Sequence, residues 1–199
     1  MSKLLLTSTG FFHQKVREQF NALISNRKFA VIITTASAQK ELNPFVIQAR
    51  VDLLGMGIEQ VTFLDVEREP IDCLQAADVI YLNGGNPFRL LHALRESGAE
   101  KLLQKRSKED SVIVGVSAGA VVLGASIRII DWFSPSLNTM NLKNFKGCEL
   151  YKSSLFPHAD RIDLFPGTTP IEERIQAFEE SSGEHVLRLE DNEFKILKI

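Results

Sequence analysis

The sequence predicts an α/β protein whose mostly parallel central sheet is covered by helices on both faces. Short apolar runs typical of buried strands alternate with amphipathic helical segments over the first two thirds of the 199 residues, a pattern that favours repeated strand–helix units. Glycine-bearing turns at 83–86 and 115–119 each follow an apolar run. Proteins of this class bind ligands beyond the carboxyl ends of their strands, so these turns indicate where the functional site lies.

The apolar runs of this region are predicted to be strands. Every residue of the run at 30–35 is apolar or β-branched, as expected of a strand that is covered on both faces. The predicted strands are 4–7, 30–35, 61–66, 79–82 and 113–116.

The segments between these strands carry helix signals. Asn43-Pro44 and Asn86-Pro87 each place an N-cap residue before a first-turn proline, and Gly55 and Gly98 mark the ends of the two helices that follow. The residues predicted to share a face are Val16, Phe20, Leu23 and Ile24 in the first helix, Ile47, Val51 and Leu54 in the second, and Phe88, Leu91 and Leu94 in the third.

The last third of the chain is predicted to mix loops with short strands. A strand-like run at 127–130 precedes the segment 131–154, which lacks periodicity and is predicted to be a loop and a candidate lid. Thr-Pro-Ile-Glu at 169–172 predicts a capping box that opens a helix. The further predicted strands are 155–158, 186–189 and 194–199, the last two separated by a turn at Asp191-Asn192. Without a linker or an internal repeat, residues 1–199 are predicted to form a single domain.

Composition and charge narrow the class of protein. The net charge is −2 with 24% charged residues, and no basic block indicates a nucleic-acid or membrane partner. Cys73 and Cys148 are too few for a disulfide framework, and the amino-terminal leucines are too short a run for a signal peptide. No metal-ligand spacing or nucleotide-binding glycine motif is present. We therefore expect a cytoplasmic protein without a metal or cofactor, and we make no prediction of its oligomeric state.

The motif that points to chemistry is Gly115-Val116-Ser117-Ala118-Gly119. It matches G-x-S-x-G and lies between an apolar strand and a small-residue helix, which is the context of a nucleophile elbow. A side chain at such a turn projects from the edge of the sheet, and the glycines keep neighbouring side chains away from the bend. Ser117 is therefore the predicted nucleophile.

A serine hydroxyl needs a base, and the base needs an orienting acid. Among the histidines, His13 and His92 lie in helical segments and His185 begins a late strand, whereas His158 ends a short apolar run, where a base at the sheet edge is expected. His158 is the predicted base. The acid stays open on local grounds among Asp191, Asp160 and Asp131, with Asp191 ranked first.

An oxyanion hole needs two donors. The N–H of Ala118, directly after the nucleophile, is the first candidate. The second candidate donor is in Gly84-Gly85, because a backbone without side chains lets a substrate approach closely. Asn86, next in the same turn, is a predicted substrate-binding residue.

The order and spacing of these motifs resemble the peptidase E family of serine peptidases over nearly the whole chain. The resemblance rests on Gly84-Gly85-Asn86 before Phe88-Arg89-Leu90-Leu91, on Gly115-x-Ser117-Ala118-Gly119-Ala120, and on the later His158. It implies a three-layer α/β/α sandwich like that of the class I glutamine amidotransferases. It also implies a serine peptidase that acts on short peptides after an N-terminal aspartate; cyanophycinases are relatives.

The resemblance also implies roles for single residues. Ser117 is similar to the family nucleophile and His158 to its base, and Gly85 and Ala118 correspond to the oxyanion donors. The family has a glutamate after a late strand as proposed third member, and Asp191 stands at the matching place, which raises it above the other carboxylates. Pro87, where the family commonly has a small polar residue, and the segment 131–154 depart from the family pattern.

Other interpretations remain at this stage. An α/β-hydrolase esterase shares G-x-S-x-G, but its chain order would require His185 as the base. An idle amidotransferase-like binding module would use Ser117 only as a helix cap. Arg89 and Arg161 are candidates for binding a substrate carboxylate.

Overall fold

The computed structural model describes residues 3–24 and 26–198, and these contain a six-stranded sheet. The strands are β1 (Lys3–Thr7), β2 (Phe29–Ile33), β3 (Gln60–Leu64), β4 (Val79–Leu82), β5 (Val112–Val116), β6 (Ser154–Pro157), β7 (Val186–Leu189) and β8 (Phe194–Lys198). The order in the six-stranded sheet is β3-β2-β4-β5-β1-β8, with β8 antiparallel to β1 and the other neighbours parallel. Strands β6 and β7 pair in parallel as a separate two-stranded sheet.

Helices follow the strands in the predicted alternation. Short 3₁₀ turns occur at Gly10–Phe12, Lys40–Leu42 and Pro135–Leu137. The α-helices are α1 (Gln14–Leu23), α2 (Pro44–Gly55), α3 (Cys73–Ala76), α4 (Pro87–Glu96), α5 (Ala99–Arg106), α6 (Ala118–Leu123), α7 (Arg128–Phe133) and α8 (Ile171–Ser182).

The central sheet separates two hydrophobic cores, because successive side chains of a strand point to opposite faces. In β1, Leu4 and Leu6 pack into the core that contains α4, α5, α6 and α8, whereas Leu5 packs into the core that contains α1 and α2. Ile80 and Tyr81 of β4 divide in the same way. This arrangement confirms the three-layer α/β/α sandwich with a mostly parallel sheet.

The buried face of α2 differs from the prediction. Val46, Ala49 and Leu53 are buried, whereas Ile47, Val51 and Leu54 are 46%, 55% and 42% exposed. Apolar residues occur around most of this helix, so periodicity alone does not identify the side that faces the sheet.

The region after α6 also corrects the prediction. Residues 127–130 are not a strand, because α7 begins at Arg128. The segment 131–154 is not entirely loop: its first residues belong to α7, and Cys148 and Leu150 donate backbone hydrogen bonds to Val122 and Leu123 of α6. The second half of the segment is therefore hydrogen-bonded to α6, which argues against a movable lid in this part of the chain.

The predicted capping box at 169–172 is absent. Helix α8 begins after Pro170 with no side-chain cap, and Glu172 instead pairs with Arg188. Ile199, the last residue of the predicted final strand, lies outside the described residues, as do Met1, Ser2 and Ser25. Within 3–24 and 26–198, no helix has both the length and the apolar character needed to cross a membrane.

Candidate active site

Ser117 occupies a tight bend between β5 and α6. Its backbone has φ 50° and ψ −114°, a region that non-glycine residues rarely adopt. The flanking glycines allow this bend, since a Cβ at Gly119 would lie 2.2 Å from the Leu82 carbonyl oxygen and one at Gly115 would lie 2.8 Å from Cα of Ala120. The glycine spacing of the motif thus lets α6 pack directly against the ends of β4 and β5.

His158 lies directly after β6 and faces Ser117. Its Nε2 is 3.1 Å from Ser117 Oγ. The residue has φ 60°, and Ser8 stabilises this conformation by accepting a 3.1 Å hydrogen bond from the His158 N–H. The hydroxyl of Ser8 in turn donates to the carbonyl of Leu189, at 2.9 Å. The residue that follows β1 therefore helps to hold the backbone of His158 in place.

Asp191 lies in the turn between β7 and β8. Its Oδ1 is 2.5 Å from His158 Nδ1, and its Oδ2 accepts a 2.9 Å hydrogen bond from Arg161 Nη1. Burial acts to raise the pKa of Asp191, but the hydrogen bonds from Arg161 and His158 outweigh burial and hold the pKa below its usual value. The carboxylate is thus kept ionised next to the imidazole.

The competing candidates make different contacts, although Asp160 lies beside Asp191. Asp160 Oδ1 accepts a 3.0 Å hydrogen bond from the backbone N–H of Asp191. Asp131 lies in α7 and contacts Asn138 at 3.2 Å. His185 is 78% exposed at its side chain and its Nδ1 lies 3.2 Å from Glu179. In this structure Ser117, His158 and Asp191 come together, and none of these three alternatives joins them.

The turn 84–86 lies against Ser117. A Cβ at Gly84 would be 3.2 Å from Ser117 Cβ and 3.6 Å from its Oγ. Gly85 has φ 141°, and a Cβ there would be 2.2 Å from the Ala36 carbonyl oxygen. Only glycine fits this close approach of the turn to the segment after β2. The backbone at 84–85 is therefore left open beside the hydroxyl.

Ala118 and Asn86 occupy two helix starts at this edge. Ala118 is the first residue of α6, so its N–H has no acceptor within the helix. The Asn86 side chain caps α4 by accepting from Phe88 and Arg89, and it donates to the carbonyl of Leu137 at 2.8 Å. The Asn86 side chain thus holds the turn and the 135–137 segment, and direct substrate binding by Asn86 stays a prediction.

Arg89 is paired with a carboxylate. Its Nε and Nη2 donate to Glu67 at 2.7 and 2.6 Å, and Lys40 bridges Glu67 and Asp65 at 2.8 and 2.9 Å. These hydrogen bonds, those from Arg89 first, lower the pKa of Glu67 to about 2. A substrate carboxylate at Arg89 would have to compete with an ionised glutamate.

Several residues that support the three predicted ones were not predicted from the sequence. Ser8 and Thr9 follow β1, and Thr9 Oγ1 donates to the Asp191 carbonyl at 2.7 Å. A signal was available, because polar residues directly after a parallel strand lie at the functional edge of the sheet. The contact of Arg161 with Asp191 had no such signal. No cluster of three or more His, Cys, Asp or Glu in the part of the chain that the structure describes could hold a metal ion.

The site has a serine in a strained strand–helix turn of an α/β sheet. The serine hydroxyl is within hydrogen-bond distance of an imidazole, which in turn contacts a carboxylate. This is the arrangement of a serine hydrolase. The chain belongs to peptidase family S51, whose family model matches residues 4–197. It is a serine-type peptidase.

Curated relatives agree with this family. An uncharacterized peptidase of Listeria monocytogenes is 32% identical over 164 residues, which are 79% of this chain and 78% of the relative. Peptidase E of Salmonella typhimurium is 26% identical over 162 residues, which are 79% of this chain and 69% of that protein. The resemblance to the peptidase E family is confirmed.

Solved structures share the fold. A crystal structure of a Listeria monocytogenes protein assigned to peptidase E is 26% identical in sequence and has a TM-score of 0.75. The match covers 100% of this chain and 99% of the Listeria chain. The crystal structure of a peptidase from an acI-B1 Actinobacterium is 17% identical in sequence and has a TM-score of 0.73. The match covers 100% of this chain and 84% of the actinobacterial chain. The second similarity concerns the fold alone.

Proposed function

We propose that this peptidase hydrolyses short peptides through a triad of Ser117, His158 and Asp191, with a covalent acyl-enzyme. The observation that carries the proposal is the continuous chain of contacts from Ser117 Oγ through the two ring nitrogens of His158 to Asp191 Oδ1, at 3.1 and 2.5 Å. The side chains of His158 and Asp191 are 17% and 19% exposed. Their mutual interaction is therefore partly shielded from water, which strengthens it.

The proposed first step is acylation. Nδ1 keeps its proton and donates a hydrogen bond to Asp191, so Nε2 accepts the Ser117 proton as Oγ attacks the scissile carbonyl carbon. The carbonyl oxygen becomes an oxyanion, and the imidazolium is stabilised by the Asp191 carboxylate. When the tetrahedral intermediate collapses, the C–N bond breaks and Nε2–H returns its proton to the departing amine. An ester between Ser117 and the acyl part of the peptide remains.

Hydrolysis of the ester completes the cycle. A water molecule gives a proton to Nε2 while its oxygen attacks the ester carbonyl. Collapse breaks the bond to Oγ, which recovers the proton from His158, and the carboxylic acid product leaves. We assign the backbone N–H groups of Gly85 and Ala118 to the oxyanion in both steps. A donor of this kind typically contributes about 10²–10³-fold to turnover.

The proposed substrate class is short peptides with an N-terminal aspartate, as the peptidase E resemblance implies. Activity of this kind is tested with Asp-X dipeptides and with aspartyl, alanyl and leucyl anilides. We expect kcat/KM to be highest for the aspartyl substrates, because contacts that select the acidic side chain and persist in the transition state raise kcat/KM. Equal kcat/KM values for the acidic and apolar substrates would remove the aspartyl preference and leave the triad proposal intact.

The esterase alternative is separated by two histidine variants. Because His185 contacts Glu179 rather than Ser117, His158→Ala should abolish hydrolysis and His185→Ala should leave kcat near that of the wild type. Each variant is assayed on the same peptide anilide, with thermal unfolding as a check of the fold. Loss of activity only in His185→Ala would support the esterase order and contradict the proposed triad.

The binding-module alternative lacks support at Ser117. Its side chain makes no capping hydrogen bond to α6, although a cap is the role that this alternative assigns to it. The hydroxyl contacts His158 instead.

A further inference from the structure

The guanidinium of Arg161 bridges the acid of the proposed triad and a second carboxylate. Nη1 donates to Asp191 Oδ2 at 2.9 Å. Nε and Nη2 donate to the two carboxylate oxygens of Asp163 at 2.8 and 2.7 Å. The backbone N–H of Arg161 donates to the His158 carbonyl at 3.0 Å. One residue therefore contacts the turn that carries the base and the side chain of the acid.

We propose that Arg161 is a positioning residue of the triad, which fixes Asp191 towards His158 and is not a receptor for a substrate carboxylate. This inference rests on the proposed function. Both carboxylate oxygens of Asp191 are engaged, Oδ1 by the imidazole and Oδ2 by Arg161. Rotation of the carboxylate away from His158 would break the bond to Arg161.

Asp163 accounts for the orientation of the guanidinium. A guanidinium has a rigid planar set of donors, and a two-point contact with a carboxylate fixes its plane. With Nε and Nη2 bound to Asp163, Nη1 faces Asp191. A substrate carboxylate that sought Arg161 would have to displace one of these two anions. Three of the five N–H groups of the guanidinium are thus engaged by carboxylates of the protein.

The contact also affects titration of the site. The groups that face the His158–Asp191 pair are Ser117 on the imidazole, Arg161 on the carboxylate, and Asp160 on the backbone N–H of Asp191. Arg161 is the cation among these three, with its partner Asp163 beyond it. Burial acts to raise the pKa of Asp191, and the hydrogen bond from Arg161 is the first of the contacts that lower it. Removing Arg161 should therefore raise the pKa of Asp191, and an enzyme that needs the ionised carboxylate should lose activity at higher pH than the wild type.

The test measures kcat/KM against pH for the wild type, Arg161→Ala and Arg161→Lys. Two substrates are used, an aspartyl and an alanyl peptide of the same length. We expect Arg161→Ala to lower kcat/KM by about 10–100-fold on both substrates, the range known for hydrogen-bond partners that orient metal ligands. The acidic limb of its profile should move to higher pH. Arg161→Lys restores the charge without the fork, so it should return the limb towards the wild-type position.

Arg128→Ala is the matched control, because Arg128 is also surface-exposed and pairs at 3.5 Å with Glu184, away from the three triad residues. It should change neither the rate nor the limb. A loss confined to the aspartyl substrate would identify Arg161 as a substrate receptor and overturn the inference. A loss with an unmoved limb, or no loss, would overturn it as well. If Ser117→Ala were as active as the wild type, the proposed function itself would fail, which is a different result.

Discussion

Replacing Ser117 with alanine is expected to lower kcat on peptide substrates by about 10⁴-fold or more, while the protein stays folded. The physical reason is that the Ser117 hydroxyl bonds His158 and does not cap α6, so its loss removes the proposed nucleophile without removing a structural hydrogen bond. Alanine retains the Cβ that packs near Gly84. The measurements are steady-state kcat and the mass of the protein after reaction with a fluorophosphonate, which should add to the wild type only.

Ser107→Ala is the matched control for this substitution. Ser107 is the C-cap residue directly after α5, and its hydroxyl donates a hydrogen bond to the Gln104 carbonyl. The control should be labelled by the fluorophosphonate and should turn over substrate as the wild type does. Equal labelling of the wild type and Ser117→Ala, or no labelling of either, would contradict the assignment of Ser117 as the nucleophile.

Replacing Asp191 with asparagine should lower kcat by about 10⁴-fold with little change in KM. Arg161 requires an acceptor, so the new amide oxygen should face Arg161 and the amide NH₂ should face His158 Nδ1. The NH₂ group can only donate there, which moves the imidazole proton to Nε2 and prevents that nitrogen from accepting the Ser117 proton. The measurement is kcat at several pH values, with thermal unfolding as a check of the fold.

Asp160→Asn provides the comparison for the acid. Its amide oxygen can still accept the hydrogen bond from the backbone N–H of Asp191, so we expect turnover close to that of the wild type. Asp131→Asn, in α7, should likewise have little effect. If either of these two substitutions caused the large loss and Asp191→Asn did not, the proposed triad would have the wrong third member.

The fold could be predicted because parallel strands covered on both faces leave a strong local signal. The runs at 30–35 and 79–82 are continuously apolar or β-branched, and helices follow each of them. The secondary-structure and burial predictions were wrong where the spacing of the apolar residues fits more than one structure. Residues 127–130 have the composition of a strand but begin a short helix, and α2 has apolar side chains on its exposed side as well as its buried side.

The candidate site divides in a similar way. The position of Ser117 in a tight strand–helix turn could be predicted, because such a turn requires glycine two residues before and two residues after it. The choice among Asp191, Asp160 and Asp131 depends on how the β7–β8 turn lies against β6, and this is set by pairing between distant segments. Ser8 and Arg161 contact the site through similarly long-range hydrogen bonds. No local pattern around either residue specifies its partner.

The paired hydroxyls at the end of β1 have a consequence for how the enzyme meets its substrate. Ser8 holds the backbone of His158, and Thr9 holds that of Asp191, so the two loops share one rigid support. The entropy lost in bringing the imidazole and the carboxylate together is thus lost during folding. Little reorganisation of these groups is then needed when the substrate binds. In the proposed mechanism, such a preassembled site has its base in place before a peptide bond reaches the serine.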